Sequence, residues 1–129
     1  MRDSVNMFRS LASSNFCFFK QARHARTLFT VSLTYRVPLE EVEKHLEEHR
    51  VFLKDHYEKG VLIASGAKVP RTGGVMIASS ADREILESVL RKDPFYYHKI
   101  ADYEITEFTP TMYSKEFENI AINDHSYVR

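Results

Sequence analysis

Apolar and polar residues alternate strictly along residues 28–36, LFTVSLTYR. Phe29, Val31, Leu33 and Tyr35 project to one side; Thr30, Ser32, Thr34 and Arg36 project to the other. A period of two in β-branched and aromatic residues predicts a half-buried strand. The period then changes to that of a helix. On a continuous helical wheel Val42, Leu46, His49 and Leu53 sit near the centre of one stripe. Leu39 and Tyr57 flank it on one side, and His45, Phe52 and His56 on the other. The charged residues Glu43, Lys44, Glu47, Glu48, Lys54, Asp55 and Glu58 fall mostly opposite. Pro38 at the first helical position, Glu40 and Glu41 in the first turn, and Gly60 after Lys59 predict where this helix starts and stops.

VLIAS (61–65) and VMIAS (75–79) are short, fully apolar runs that predict two further strands. GAKVPRTGG between them predicts a loop. SADREILESVLR (80–91) predicts a second helix capped by Ser80, and DYEITEFT (102–109) a last strand. The order β-α-β-β-α-β is that of an α+β, ferredoxin-like sandwich: a four-stranded antiparallel sheet with two helices on one face. The two apolar strands leave the other face in need of cover. A second copy of the chain stacked there, with some polar space between the sheets, is the expected partner, so a homodimer is expected. Residues 1–26 read as an N-terminal extension, 27–110 as the domain, and 111–129 as a tail without periodic pattern.

Composition narrows the function classes. The 129 residues suit one domain. Basic and acidic residues balance, which argues against a nucleic-acid partner, because neutralising phosphates needs a basic surface. No apolar run approaches the roughly 20 residues of a membrane helix, so no membrane partner is expected. Cys17 is the single cysteine, so no intrachain disulfide forms and no cysteine cluster holds zinc or iron–sulfur. A cytoplasmic setting follows. The first 26 residues, however, carry a net charge of +4 and are rich in Arg and Ser. A mitochondrial leader is therefore the alternative to a disordered or weakly helical extension.

The candidate chemistry lies in HLEEHRVFLKDHYEKG, residues 45–60, with His45, His49 and His56. Three readings compete. One is a core histidine bonded to a backbone carbonyl. Another is a metal site using His45 and His49 at i and i+4, with Asp93 or His98 as a distant third ligand. Leu46 stands where the zinc-protease motif needs Glu, so no metal and no cofactor are expected. The third is a general base: a partly buried imidazole paired with a carboxylate. Asp93 is the candidate carboxylate. It precedes Pro94, which disfavours helical geometry before it, so the chain turns at Asp93. Asp93 also suits the cap of a helical turn that opens with Pro94.

The segments EHRVFLKDHYEKGVLIASGA, GGVMI and KDPFYY, in that order and spacing, resemble the YciI-like family (YCII-related domain). The resemblance implies a ferredoxin-like fold, usually dimeric and akin to the dimeric α/β barrels. It implies an active site built on a His–Asp pair, which falls on His49 and Asp93. It implies a small-molecule enzyme of lyase, dehydrochlorinase or isomerase type, acting on a small planar acidic or hydroxylated substrate. Ser65, Gly66, Lys68 and Arg71 around the glycine-containing loop, and Tyr96 as a wall, are the expected substrate-binding residues. A solvated loop and a packing aromatic account for Lys68, Arg71 and Tyr96 equally well. The rival class is a non-catalytic ligand-binding or assembly module.

Overall fold

The computed structural model describes residues 27–122. The leader reading of residues 1–26 lies outside the described residues, as do residues 123–129. Residues 27–111 form one unit. Its elements are β1 (Thr27–Tyr35), α1 (Leu39–Lys44), α2 (Leu46–Glu58), β2 (Leu62–Ala67), β3 (Gly73–Ser80), α3 (Arg83–Leu90), α4 (Pro94–Tyr97) and β4 (Ala101–Phe108). The strands line up as β2-β3-β1-β4, and every neighbouring pair is antiparallel. This is the expected α+β sandwich.

The alternation along β1 decides where the core lies. Phe29, Val31 and Leu33 are buried against Val42 and Phe52 from the first helical stretch, Met76 and Ala78 from β3, Leu86 and Leu90 from α3, and Phe95 and Ile100 near α4. Burying each large side chain contributes about 1.5–3 kcal/mol, so this layer is the main source of stability. Thr30, Ser32 and Thr34 face the other way. In register beside them lie Ile77, Val75 and Gly73 on β3, and Thr106, Glu104 and Asp102 on β4.

The first helical stretch departs from the single continuous helix that its pattern predicts. It breaks at His45, whose backbone sits at φ −110°, ψ 6°. The His45 N–H bonds to the Val42 carbonyl, three residues back. That tighter turn resets the angular register of α2 relative to α1. In α2 the buried residues are His49, Phe52 and His56, displaced toward the Phe52 side of the wheel. Leu39 and Tyr57, expected beside the stripe centre, are 43% and 38% exposed. Pro38 is the residue before α1 rather than its first residue. The second helix also starts later than expected: Asp82 is its cap and accepts from the Ile85 N–H, while Ser80 ends β3.

The expected GAKVPRTGG loop is strand at both ends. Gly66 and Ala67 pair with Val75 and Gly74, and Gly73 pairs with Thr34 on β1. The connection is only residues 68–72, closed by Lys68 N–H on the Gly73 carbonyl at 2.9 Å. Gly73 serves close approach rather than looseness. A Cβ on Gly73 would lie 1.8 Å from the Leu33 carbonyl oxygen. Residues 112–122, described by themselves, contain a 3₁₀ turn (Lys115–Phe117) capped by Ser114, then a short helix, α5 (Glu118–Ile122), where no periodic pattern was expected. No helix among the described residues is long and apolar enough to cross a membrane.

The Gly73 approach gives a stability prediction. Gly73→Ala forces β1 and β3 apart and costs at least about 3 kcal/mol, in the range reserved for backbone clash. Gly66→Ala meets nothing within 4 Å and changes stability by less than about 1 kcal/mol. Urea denaturation of the two variants checks both; equal midpoints would refute the close-approach account.

Candidate active site

The three histidines of the first helical stretch have three different environments. His56 is the core histidine: it is buried, and its Nδ1 lies 2.9 Å from the Phe52 carbonyl oxygen. His45, at the helix break, lies at the surface with Nδ1 3.4 Å from Glu48 Oε1 and its ring 4.1 Å from that of His98. His49 is buried, and its Nδ1 lies 2.8 Å from Asp93 Oδ1. His45 and His49 therefore point to different partners and do not form the i, i+4 metal pair considered from the sequence.

Asp93 is fully buried. Its position follows from the sequence around it. Helix α3 ends at Leu90 with Arg91 as its C-terminal cap, and Asp93, extended at φ −71°, ψ 127°, caps α4, which opens with Pro94. Oδ1 accepts from the Phe95 N–H at 3.0 Å as well as facing His49. Oδ2 accepts from the Tyr103 hydroxyl at 2.5 Å. Capping and pairing are therefore not alternatives here, since a carboxylate has about four acceptor sites. The cap fixes the carboxylate and the fixed carboxylate aims the imidazole. The Phe95 ring stacks flat on His49, with centroids 3.9 Å apart and planes within 2°.

An ionised carboxylate only accepts, so His49 Nδ1 carries the proton it donates to Asp93. Nε2 is the ring nitrogen that Asp93 does not engage, and His49 lines a cavity. That cavity is about 460 Å³, a size that suits a small molecule. Leu46, Leu53, Met76 and Phe95 supply apolar wall, and Tyr35, Glu43, Arg50, Ser65 and Arg71 supply polar groups. Arg71 Nη1 lies 3.1 Å from Glu43 Oε2. The Glu43 carboxylate, and after it the Tyr35 hydroxyl, raise the guanidinium pKa above its ordinary value. Ser65 bonds the Tyr57 hydroxyl at 2.6 Å.

Of the residues expected at the site, the structure brings His49, Ser65, Gly66 and Arg71 to this cavity and places Asp93 directly behind His49. Lys68 is not among the lining residues; its Nζ reaches Thr34 Oγ1 at 3.3 Å. Tyr96 lines a separate cavity of about 280 Å³ with Arg83, Glu87, Arg91 and Tyr103. Tyr103, Phe95, Glu43 and Arg50 were not singled out from the sequence. The signal for Tyr103 was its place on the inward side of β4, shared with Ala101 and Ile105.

The family model for the YCII-related domain matches residues 27–109. No curated protein matches the chain. Among solved structures, a 5-chloro-2-hydroxyhydroquinone dehydrochlorinase from Burkholderia phenoliruptrix AC1100, in complex with 2,5-dihydroxybenzoquinone, is similar in fold. Its TM-score is 0.56 at 16% identity, covering 69% of this chain and 97% of that one.

Burial, then the Asp93 charge and the bond to it, push the Tyr103 hydroxyl far above the ordinary tyrosine pKa. Tyr103 therefore stays a donor. In the unfolded chain it ionises near pH 10, whereas in the folded chain it does not. The stability that its proton confers is complete below about pH 10 and falls as pH rises above it. Tyr103→Phe leaves a buried carboxylate oxygen without its donor and costs about 1–3 kcal/mol near neutrality. The gap between wild type and Tyr103→Phe should narrow above about pH 10. Denaturant titrations from neutral to alkaline pH check this; a gap that stays constant would contradict it.

Proposed function

We propose that this chain, which belongs to the YCII-related domain family, is a small-molecule enzyme in which His49 exchanges protons with substrate and Asp93 orients it. The observation that carries this reading is the 2.8 Å contact of His49 Nδ1 with a fully buried carboxylate, on a ring that lines a cavity. Nε2 takes a proton from a substrate hydroxyl or an acidic C–H. The imidazolium that forms is balanced by the Asp93 charge behind it. In an elimination, the electron pair released by that proton forms a new double bond and expels the leaving anion. In an isomerisation, the same imidazolium returns the proton to another atom of the substrate.

Arg50 and Arg71 line the cavity, which supports an acidic or hydroxylated substrate. The flat Phe95–His49 stack and the aliphatic walls support a planar one. The substrate class is thus a small hydroxylated ring or an enolisable carbonyl compound. Ser65 and Gly66 are its expected contacts on β2.

The outer sheet face supports a homodimer. Val75 is 39% exposed there beside the apolar Ile77, while Thr30, Ser32 and Thr34 form a polar row between them and β4. A second copy stacked on this face would cover the apolar part and enclose the polar row.

His49→Asn should lower turnover by about 10²–10⁴-fold on hydroxylated quinols or enolisable carbonyl compounds, with the circular-dichroism spectrum of the fold unchanged. Asp93→Asn should fall in the same range. A substrate whose turnover is unaffected by either would refute the assignment, and tight ligand binding without turnover would favour the ligand-binding module. Light scattering on the eluting protein should give about twice the 15.1 kDa chain mass; a monomer at micromolar concentration would refute the dimer.

A further inference from the structure

A second cluster of titratable groups lies apart from the cavity. His45, Glu48 and His98 each offer one ligand atom, and these atoms all lie within 4.8 Å of one another. None of the three lines the His49 cavity. Glu48 Oε1 stands 3.4 Å from His45 Nδ1 and 3.7 Å from His98 Nε2. These separations are long for hydrogen bonds. The first matches, and the second slightly exceeds, the edge of a coordination tetrahedron, whose donors lie about 3.3–3.6 Å apart when each bond is about 2.0–2.2 Å. We propose that His45, Glu48 and His98 bind a divalent transition-metal ion, with zinc or nickel as the fitting class and solvent completing the coordination.

The backbone supplies the convergence. His45 is the residue at which the helix breaks, and Glu48 follows one turn later on α2. His98 closes α4, its N–H on the Pro94 carbonyl at 2.9 Å, and the chain then turns through Lys99 at φ 57°. The three side chains are 23%, 55% and 38% exposed, so an ion can reach them. Two imidazoles with one carboxylate favour zinc, nickel, cobalt or copper over magnesium and calcium, which prefer all-oxygen sites.

The placement gives the ion a job. Glu48 directly precedes His49, and α4 directly follows Asp93. An ion held by Glu48, His45 and His98 would tie together the two backbone segments that carry the His49–Asp93 pair. It would stiffen that pair without touching substrate. The site is independent of the proposed catalysis, and binding would weaken on acidification because protons compete for the imidazoles.

Isothermal titration of the full-length protein with zinc chloride and with nickel chloride tests the site. We expect one ion per chain and no heat with magnesium chloride. His98→Ala and His45→Ala should weaken binding more than about 100-fold, since even partners outside the ligand shell are worth about 10–100-fold. Glu48→Gln should weaken it as well, while His24→Ala/His125→Ala should leave it unchanged. Circular dichroism of each variant confirms that its fold is retained. No binding of either ion, or binding that survives His98→Ala, or binding lost with His24→Ala/His125→Ala, would overturn the proposal.

Discussion

A carboxylate with no exposure to water sits at the centre of this fold. A buried charge is costly unless its lone pairs are met by donors. Asp93 meets that demand with donors from three separate elements: the imidazole of His49 on α2, the N–H of Phe95 on α4, and the hydroxyl of Tyr103 on β4. Each must be in place for the others to be tolerable. The group thus specifies how the helices lie on the sheet, and the same three bonds present His49 to the cavity in one orientation. The demands of structure and the proposed demands of chemistry fall on one residue.

The helix break at His45 shapes the surroundings of that pair. With the register reset, His49, Phe52 and His56 turn into the core, and Leu46 and Leu53 are left half-buried as cavity wall. A continuous helix on the original wheel would centre Leu46 and Leu53 in the core and leave less apolar surface facing the cavity. The break also brings His45 beside His98. One irregular backbone position therefore separates three histidines into a core residue, a carboxylate-paired residue and a surface residue.

Much of the fold was legible because it depends on local periodicity. The strict alternation of β1 and the helical stripe of residues 39–57 mark the layers, and His49 stands near the stripe centre. The resemblance carried by KDPFYY pointed to Asp93 as its partner. The features that were not legible depend on contacts distant in sequence. Gly73 looks like a loop residue until β1 is laid against β3 and the Leu33 carbonyl leaves no room for a side chain. Tyr103 looks like one more residue of an imperfectly alternating strand until its hydroxyl meets Asp93. The break at His45 follows from no local signal, since neither Gly nor Pro interrupts that stretch. The capping and pairing roles of Asp93 looked like competitors only because sequence alone does not show how many donors converge on one carboxylate.

The central claim is that Asp93 holds the proton of His49 on Nδ1 and leaves Nε2 bare toward the cavity. Nitrogen-15 NMR of the imidazole, recorded at a pH where the ring is neutral, reads this directly. The account predicts an Nδ1–H tautomer in the wild type, with that preference lost in Asp93→Asn. A neutral His49 ring carrying its proton on Nε2 in the wild-type protein would contradict it.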